Sequence, residues 1–421
     1  MIDIVEELKI KLTAVRQHLQ LLARPDISER SFDGVYAVRD EGDEVITGAL
    51  CYRTGVSGPD VAILGGIHMN EMSGVYALLK FHTRWLNGAR PKSGNIYVAT
   101  GKIERALEFI DTVMAAENIS PDLWSAFHAT HDHFNYNRIP FDILTKEISN
   151  DFERHALQIV RYILKPSKGR ILDLHNTSTN AAPMVTMFMQ DGETPAMVIE
   201  RINATGVTED FPIQDFIVWK PGPYNGVESI RSIVDAETGN LPILVENGGG
   251  ANPASFDAAD LHTQIWLKNV TGMEPEGEVT GSQSASFERN YYVETNALYH
   301  PDVKPEDYSQ LGQETLKAAK KDTFVLMRDL RSARAMTGWS DKARQALHKL
   351  EEKNYSSSRL DNFEPINRGD LLGIGLNSGL ELRSPGDGVV MMIGASTVVV
   401  PENRETYANI GIKFKSDSLN A

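Results

Sequence analysis

Two short motifs that lie far apart in the chain contain side chains able to bind a metal ion. His68 and Glu71 are three residues apart where a predicted strand at 61–64 passes into a predicted helix, and His175 ends a second predicted strand. Two imidazoles and one carboxylate form a ligand set used by zinc enzymes, and such a set leaves a fourth position open for water. Metal-assisted hydrolysis needs an open position of this kind. The sequence therefore predicts one Zn²⁺ per subunit, bound by His68, Glu71 and His175.

Two further carboxylates could support chemistry at such a centre. Glu246 follows an apolar predicted strand and precedes a glycine run, so it is well placed beside metal-activated water. It is the predicted catalytic residue, a general base that takes a proton from water and a general acid that returns it to a leaving amine. Asp173 lies two residues before His175, so on a strand both side chains share one face. Asp173 could orient the metal-bound imidazole, or it could bind backbone at the end of the sheet.

An asparagine and an arginine stand side by side at Asn137 and Arg138. A guanidinium group binds a carboxylate through two parallel hydrogen bonds, which fixes orientation as well as affinity. The pair could therefore hold a substrate carboxylate, although an isolated arginine is also typical of a surface. Three nearby histidines suggest a rival metal site, a substrate contact or a solvated loop; they are His128, His131 and His133.

Three other catalytic motifs are missing from the sequence. The glycines at 248–250 lack the Lys-Ser/Thr ending of a phosphate-binding loop. No Gly-x-Ser-x-Gly elbow of a serine hydrolase occurs. Gly373 and Gly375 are not followed by the third glycine of a dinucleotide-binding fingerprint. The pattern therefore favours metal-dependent hydrolysis over these classes.

Composition and charge narrow the range of partners. The chain has 421 residues and a formal net charge of −15, which argues against nucleic acid and anionic membrane surfaces as partners. The single cysteine, Cys51, cannot form an internal disulfide, and the acidic first residues lack the pattern of a secretory signal. No apolar run reaches the ~18 residues of a membrane span. We therefore expect a cytoplasmic protein, in which local Arg or Lys side chains capture any carboxylate-bearing substrate.

Strand and helix signals alternate between residues 34 and 272, which predicts an α/β domain with a largely parallel or mixed sheet. Ligand sites in such sheets lie at the carboxyl ends of strands, and His68, His175 and Glu246 all occupy such positions. The predicted strands are 35–38, 45–52, 61–65, 96–100, 171–174, 185–189 and 243–245, and the predicted helices are 71–87, 103–117, 147–164, 194–204 and 256–271.

The two ends of the chain differ from this central pattern. Apolar residues at spacings of three and four predict a helix over 2–23. That helix either packs on the protein's own body or forms a coiled-coil seam between subunits, so a homo-oligomer stays open. Residues 365–414 contain short strands and turns typical of a small β-barrel or sandwich. The predicted domains are an N-terminal helix at 1–30, a catalytic α/β domain at 31–285 and a β-rich domain at 286–421 with a basic helical insertion at about 308–354.

The motifs together resemble the zinc carboxypeptidase superfamily, and within it the succinylglutamate desuccinylase/aspartoacylase family. The resemblance covers residues 60–250 and is most specific at the Asp-Leu-His-Asn motif. A later segment at 384–388 is similar to the small β-domain that follows the catalytic domain in that family. The motifs that carry the resemblance are Gly65-Gly66-Ile67-His68-Met69-Asn70-Glu71, Asn137-Arg138, Asp173-Leu174-His175-Asn176 and Glu246-Asn247-Gly248.

The resemblance implies a fold and a set of roles. The fold would be a zinc-carboxypeptidase-like mixed sheet flanked by helices, followed by a smaller, mostly β domain with a helical insertion. The zinc ligands and the general base would be the residues already named. Substrate binding would fall to four residues, namely Asn137, Arg138, Arg231 and Tyr407.

The sequence departs from the family at one position. The family has an arginine seven residues before its Asn-Arg pair that stabilises the oxyanion, and this chain has Thr130 there, with Asn135 where an acidic residue is usual. Another donor, Arg105 or His131, could supply that contact, or the zinc ion could act alone. Losing one such donor typically lowers the rate by a factor of ~10²–10³. We therefore expect a substrate other than N-acetylaspartate or succinylglutamate.

The sequence predicts a zinc-dependent amidohydrolase that removes the acyl group from a small, carboxylate-bearing N-acyl amino acid or a related compound. One alternative is a metallocarboxypeptidase that cleaves the C-terminal residue from a peptide with the same side chains. Another is a zinc-dependent binding or structural protein whose site is closed by a fourth protein ligand.

Overall fold

A computed structural model gives the fold of the chain as two compact units, Met1–Arg289 (unit 1) and Asn290–Ala421 (unit 2). The domain bounds predicted from the sequence remain a prediction. Among the described residues, no helix is long and apolar enough to cross a membrane. The described residues are 4–23, 34–116, 119, 136, 139–140, 142–168, 170–177, 182–188, 193–208, 210–219, 227–228, 242–276, 289–298, 324–326, 340–342, 344–345, 348, 365–367, 371–375, 379, 381–383, 388–391, 398–399 and 408–414.

Unit 1 is built around a mixed β-sheet. Its strands are β1 (Val35–Arg39), β2 (Val45–Arg53), β3 (Val61–Gly65), β4 (Asn95–Ala99), β5 (Ile139–Pro140), β6 (Ile171–Thr177), β7 (Met184–Phe188), β8 (Asp215–Trp219), β9 (Val227–Glu228) and β10 (Ile243–Gly249). Eight of these described strands form one sheet in the order β1-β2-β4-β3-β6-β10-β7-β8, and β5 pairs with β9 separately. The central pairs β4–β3, β3–β6 and β6–β10 are parallel, so the carboxyl ends of β3, β6 and β10 share one edge.

Helices cover both faces of this sheet. The described helices of unit 1 are α1 (Ile4–Leu22), α2 (Met72–Leu86), α3 (Ile103–Ala115), α4 (Asp151–Ile159), which continues into a π-helical turn (Val160–Leu164), α5 (Pro195–Ala204) and α6 (Ala254–Thr271). Helix α4 begins where the side chain of Asn150 accepts a hydrogen bond from the backbone N–H of Glu153. Helix α6 ends at Thr271, and the residue that caps it is Gly272, whose φ of +67° suits glycine.

Alternate residues of β3 point to opposite faces of the sheet and are buried on both, so helices must cover both faces. Ala62 and Leu64 belong to a buried apolar cluster with Ile159 and Ile163, which come from α4 and the π-helical turn. The intervening residues of β3 point to the opposite face, where α2 contacts the strand. Every residue of β3 is buried, as expected for a central parallel strand.

Helix α1 packs on unit 1 through the apolar stripe that the sequence revealed. Leu8, Leu12, Val15 and Leu19 are at most 1% exposed. In addition, Lys11 donates to Asp257 Oδ2 at 2.7 Å, which ties α1 to α6. The stripe therefore packs on the protein's own body, and it is not free to form a coiled-coil seam.

Unit 2 contains two described sheets. One sheet has the order β11-β18-β16-β13 and the other has the order β15-β14-β12-β17. The strands are β11 (Asn290–Leu298), β12 (Phe324–Leu326), β13 (Pro365–Ile366), β14 (Leu371–Gly375), β15 (Glu381–Arg383), β16 (Gly388–Met391), β17 (Val398–Val399) and β18 (Ala408–Phe414).

The structure corrects the predicted helical insertion at one place. Residues 324–326 form β12, which pairs antiparallel with β14 and β17, so the prediction of helix is wrong there. The run Phe-Val-Leu has a β-branched and an aromatic residue, and both types favour strands. The basic residues on either side have a helical pattern, so the sequence did not predict a strand at this short run.

The predicted fold class is confirmed for unit 1. The sheet is mixed and has helices on both faces, as an α/β domain requires. Strand β8 was not predicted, because a single short apolar run carries no periodicity. Cys51 is buried in β2, opposite Tyr97 of β4.

Candidate metal centre

The turn between β3 and α2 brings His68 and Glu71 to the edge of the sheet. Gly66 has a φ of +68°, a conformation that L side chains rarely adopt. A Cβ atom on Gly65 would lie 2.6 Å from the backbone of Gly74 in α2, so only glycine lets the helix start this close to the strand. The chain then turns back on itself, and the backbone N–H of Glu71 donates to the carbonyl oxygen of His68 at 3.0 Å.

Glu71 occupies the N-cap position of α2, but its side chain makes no capping hydrogen bond. Its two carboxylate oxygens face two histidines instead. Oε1 lies 2.8 Å from Nδ1 of His68, and Oε2 lies 2.7 Å from Nδ1 of His175. The candidate ligand atoms of His68, Glu71 and His175 all lie within 4.8 Å of one another. The structure therefore brings the three predicted ligands to one point.

Strand β6 presents His175 and Asp173 from the middle of the sheet. Both side chains are buried, at 1% and 0% exposed. Nδ1 of His175 faces Glu71, whereas Nε2 lies 3.0 Å from Oδ2 of Asp173. Neither Nε2 nor this carboxylate makes a hydrogen bond of good geometry with any described group. One nitrogen thus faces the candidate metal position, and the other faces a carboxylate that can orient the ring.

The charges around Glu71 and His175 favour a bound cation. Burial raises the pKa of Glu71, but the imidazoles of His68 and His175 outweigh it and lower that pKa well below its usual range. Burial lowers the pKa of His175, but the charges of Asp173 and Glu71 outweigh it and raise that pKa well above the usual value. An imidazole that binds a proton this strongly between two carboxylates is also placed to bind a divalent cation, and proton and metal compete for it. The donor set of two imidazole nitrogens and one carboxylate fits zinc.

Strand β10 places Glu246 beside His175. The two residues are register partners in the parallel pair β6–β10, and Glu246 is 6% exposed. The pairing shifts between Glu246 and Gly249, and Gly248 has a φ of +96°. The strand therefore leaves its regular path directly after the predicted general base.

Asn176 connects the ligand set to both neighbouring elements. Its backbone N–H donates to Glu71 Oε2 at 3.2 Å, and its side chain donates to the carbonyl oxygen of Gly248 at 3.1 Å. Its Oδ1 accepts from the backbone N–H of Ser73 at 3.3 Å. The sequence predicted no specific role for Asn176. Its signal was its place beside His175 in the Asp-Leu-His-Asn motif.

The predicted substrate-binding residues fall outside the described part of the chain. Their described neighbours show that β5 pairs with β9, with Ile139 opposite Glu228. Ile139 follows Arg138 directly, and Glu228 comes three residues before Arg231. This ladder holds the chain segments that lead to both arginines side by side. The predicted residues outside the described part are Asn137, Arg138, Arg231 and Tyr407, together with His128, Thr130, His131, His133 and Asn135.

Arg105 is the one described candidate for the missing oxyanion donor. It lies on α3 with its side chain 39% exposed, and it donates to Glu108 Oε2 at 2.6 Å on the same helix. Its guanidinium group therefore already has an acidic partner at the protein surface.

Comparison with known proteins gives matches among solved structures. No protein-family model and no curated protein matches the sequence. A succinylglutamate desuccinylase/aspartoacylase from Rhodobacter sphaeroides matches with a TM-score of 0.53 and 14% identity, over 92% of this chain and 97% of that chain. The product-bound ectoine utilization protein EutE (DoeB) from Ruegeria pomeroyi matches with a TM-score of 0.53 and 14% identity, over 91% and 96%. An aspartoacylase family protein from Mesorhizobium loti matches with a TM-score of 0.51 and 15% identity, over 91% and 96%.

The chain has the fold of the succinylglutamate desuccinylase/aspartoacylase family. The resemblance inferred from four short motifs is thereby confirmed at the level of the fold. A desuccinylase/aspartoacylase fold does not by itself fix an activity, because function depends on the side chains at the site. The ligand set at the ends of β3 and β6 is therefore the feature from which a function must be argued.

Proposed function

We propose that the protein is a zinc-dependent amidohydrolase that removes the acyl group from a small N-acyl amino acid or a related compound. The observation that carries the proposal is the convergence of His68, Glu71 and His175, whose candidate ligand atoms lie within 4.8 Å of one another. Among the described residues, no fourth His, Cys, Asp or Glu joins this group, which favours an open site over a closed structural one.

The side chains of this site have separate tasks in the proposed reaction. A zinc ion, when bound, polarises a carbonyl oxygen and makes a water molecule more acidic. His68, Glu71 and His175 would hold the ion, and Asp173 would keep the proton of His175 on Nε2 so that Nδ1 can bind metal. Glu246 would take the proton from the attacking water and return it to the leaving nitrogen.

The substrate is proposed to carry a carboxylate. Asn137 and Arg138 would bind it, with Arg231 as a second guanidinium group and Tyr407 reaching into the cleft. The β5–β9 ladder supports this assignment, since it pairs the segments next to the two arginines. Two arginines suit a substrate with more than one acidic group, because each guanidinium group can bind one carboxylate through two hydrogen bonds. The formal net charge of −15 makes such local capture necessary.

Metal analysis combined with a substrate panel tests the proposal. The purified protein should contain one equivalent of zinc, and it should hydrolyse at least one N-acyl amino acid faster than any dipeptide or longer peptide. Chelation should abolish turnover, and added Zn²⁺ should restore it. Hydrolysis of peptides alone would instead favour the metallocarboxypeptidase. If the protein binds zinc but hydrolyses no amide, the proposal that it is an enzyme is contradicted. A cytoplasmic location remains a prediction from the sequence, and the oligomeric state stays open.

A further inference from the structure

A buried amide stands where strands β6 and β10 lose their regular pairing. Asn247 follows Glu246 directly, and its Nδ2 donates to the carbonyl oxygens of His175, at 3.0 Å, and Val245, at 3.2 Å. The regular register ends at the pair Glu246–His175 and resumes at Gly249. The side chain of Asn247 therefore replaces ladder hydrogen bonds at the point where the predicted base and a predicted ligand lie side by side.

A buried histidine fixes the orientation of this amide. Nδ1 of His262, on α6, lies 2.7 Å from Oδ1 of Asn247. The two carbonyl oxygens can only accept, so Nδ2 of Asn247 must face them and Oδ1 must face the ring. Nδ1 of His262 therefore carries a proton and donates it. The hydrogen-bond network thus determines both the amide orientation and the histidine tautomer.

The surroundings of His262 keep it neutral and in place. The residue is 2% exposed, and its ring stacks on Phe211 with centroids 5.4 Å apart and planes inclined by 25°. Burial lowers the pKa of His262 to about 3. The imidazole therefore stays uncharged at neutral pH, and its one N–H at Nδ1 is committed to Asn247.

We propose that Asn247 and His262 are positioning residues of the proposed hydrolase. His262 holds the amide of Asn247, and that amide holds the backbone of Glu246 and His175 at the correct separation. The inference rests on the proposed function, because it names what keeps the general base beside the metal ligand. Neither residue needs to touch the substrate or the metal.

A purely structural link between α6 and the sheet would not need these residue types. Two apolar side chains could fill the same interface without the cost of removing polar groups from water. Hydrogen bonds give the link a direction that apolar packing does not supply. The amide of Asn247, held by His262, donates to one carbonyl on each of β6 and β10, which are the strands that carry His175 and Glu246.

The first test compares three variants on zinc affinity as well as turnover. In His262→Leu the donor to Asn247 is lost, and we expect zinc affinity and kcat each to fall by a factor of ~10–100, the usual range for groups that orient a ligand, with KM little changed. In His262→Asn the side-chain amide N–H takes the position of Nδ1, and we expect it to recover most of both losses. Thr263→Val is the matched control, since Thr263 is buried on the same helix and its hydroxyl donates to the carbonyl oxygen of Ala259 within α6.

A double variant tests whether His262 acts through Asn247. If it does, Asn247→Ala with His262→Leu should lose no more kcat than Asn247→Ala alone, because coupled residues are not additive. Fully additive losses would overturn the proposal. So would wild-type zinc affinity and kcat in His262→Leu.

A measurement on the wild-type holoenzyme tests the proposal even if the variants fail to fold. Nitrogen-15 NMR of the histidine side chains should show His262 as the neutral Nδ1–H tautomer, and a proton on Nε2 alone would refute the link. If the wild-type protein binds zinc but hydrolyses no compound of the panel, the proposed function fails. The zinc affinities of the His262 variants would then still decide whether this pair holds His175.

Discussion

Glu71 occupies the N-cap position of α2, and yet its side chain makes no capping hydrogen bond. A capping side chain commonly contributes about 1 kcal/mol to stability. Glu71 forgoes that contribution, and its oxygens lie 2.8 and 2.7 Å from two imidazoles. Local rules of stability are often broken at sites of function, and this residue shows such a break.

Glu246→Gln separates proton transfer from metal binding. The amide keeps the size of the side chain but cannot accept a proton from water, so we expect turnover to fall by a factor of ~10²–10⁴. Zinc content should remain at the wild-type level, because the three predicted ligands are untouched. Comparable turnover in the variant would refute the role of Glu246.

Asp173→Asn tests whether the buried carboxylate orients His175. The amide removes the charge that faces Nε2 at 3.0 Å, so we expect zinc affinity to fall by a factor of ~10–100. Asp60→Asn is the control. Asp60 directly precedes the first residue of β3, at the end of the strand away from the candidate site, and accepts hydrogen bonds from Asn95 there. Equal zinc affinity in Asp173→Asn and in the wild type would show that Asp173 serves only the sheet.

At the scale of elements, the close approach of α2 to the sheet depends on small residues. A Cβ atom on Gly74 would lie 2.9 Å from the carbonyl oxygen of Leu174 and from Cα of Gly65. The first turn of α2 therefore touches β3 and β6 through bare backbone. That contact sets how near Glu71 comes to His175.

Gly74→Ala should be destabilising although alanine favours helices. Alanine is ordinarily better than glycine in a helix by about 1 kcal/mol, but here its methyl group must push α2 away from the sheet. We expect a loss of about 1–3 kcal/mol in unfolding free energy, typical of overpacking, together with weaker zinc binding. Ala77→Gly on the same helix should cost stability and leave zinc affinity unchanged. Urea unfolding and zinc titration of both variants check this, and a more stable Gly74→Ala would contradict it.

The contact between α1 and α2 should be sensitive to acid. His18 is 4% exposed, its ring lies 5.7 Å from that of His82, and Tyr52 bonds to His82 at 2.9 Å. Burial, with a smaller contribution from His82, lowers the pKa of His18 from 6.5 to about 3. The folded state therefore binds this proton less readily than the unfolded state, and the stability it contributes is lost as pH falls from 6.5 towards 3.

His18→Leu should remove this part of the pH dependence. Between pH 7.5 and pH 5.5, the wild type should lose roughly 1.4 kcal/mol more unfolding free energy than the variant. Urea unfolding of both metal-free proteins at the two pH values measures the difference. Identical losses in the two proteins would show that burial does not lower the pKa of His18 in the folded state.

The elements that carry the ligand set could be predicted because they are simple in sequence. The apolar run of β3, the largely apolar run at the start of β6 and the apolar run at the start of β10 are each followed within a few residues by a candidate site residue, namely His68, His175 and Glu246. Strands β5 and β9 could not be predicted, since each has two residues and exists only through its partner. The role of His262 was also beyond the sequence, because nothing near it in the chain indicates a contact with Asn247, fifteen residues earlier.

At the scale of the whole molecule, the fold places every described member of the candidate centre in unit 1. The ligands come from the loop after β3, the N-cap of α2 and the end of β6. The three ligands come together only when unit 1 is folded. A bound metal ion should therefore stabilise the whole of unit 1 against unfolding.

Zinc should raise the stability of the protein by an amount that grows with the logarithm of the free zinc concentration divided by the Kd. At a free zinc concentration 100 times the Kd, the expected gain is about 2.7 kcal/mol. Urea unfolding with and without zinc measures the gain, which Glu246→Gln should keep and His175→Ala should lose. A gain that survives in His175→Ala would place the stabilising zinc elsewhere.

The chain's single thiol offers a way to observe these changes. Cys51 is 3% exposed within β2, and burial raises the pKa of its thiol. In the native state an alkylating reagent therefore cannot reach the sulfur atom, and the sulfur is not in its reactive thiolate form. Because the sequence has one cysteine, every labelled molecule must have opened at this strand. The rate at which Cys51 is alkylated therefore reports how often β2 opens locally, and no engineered cysteine is needed to measure it.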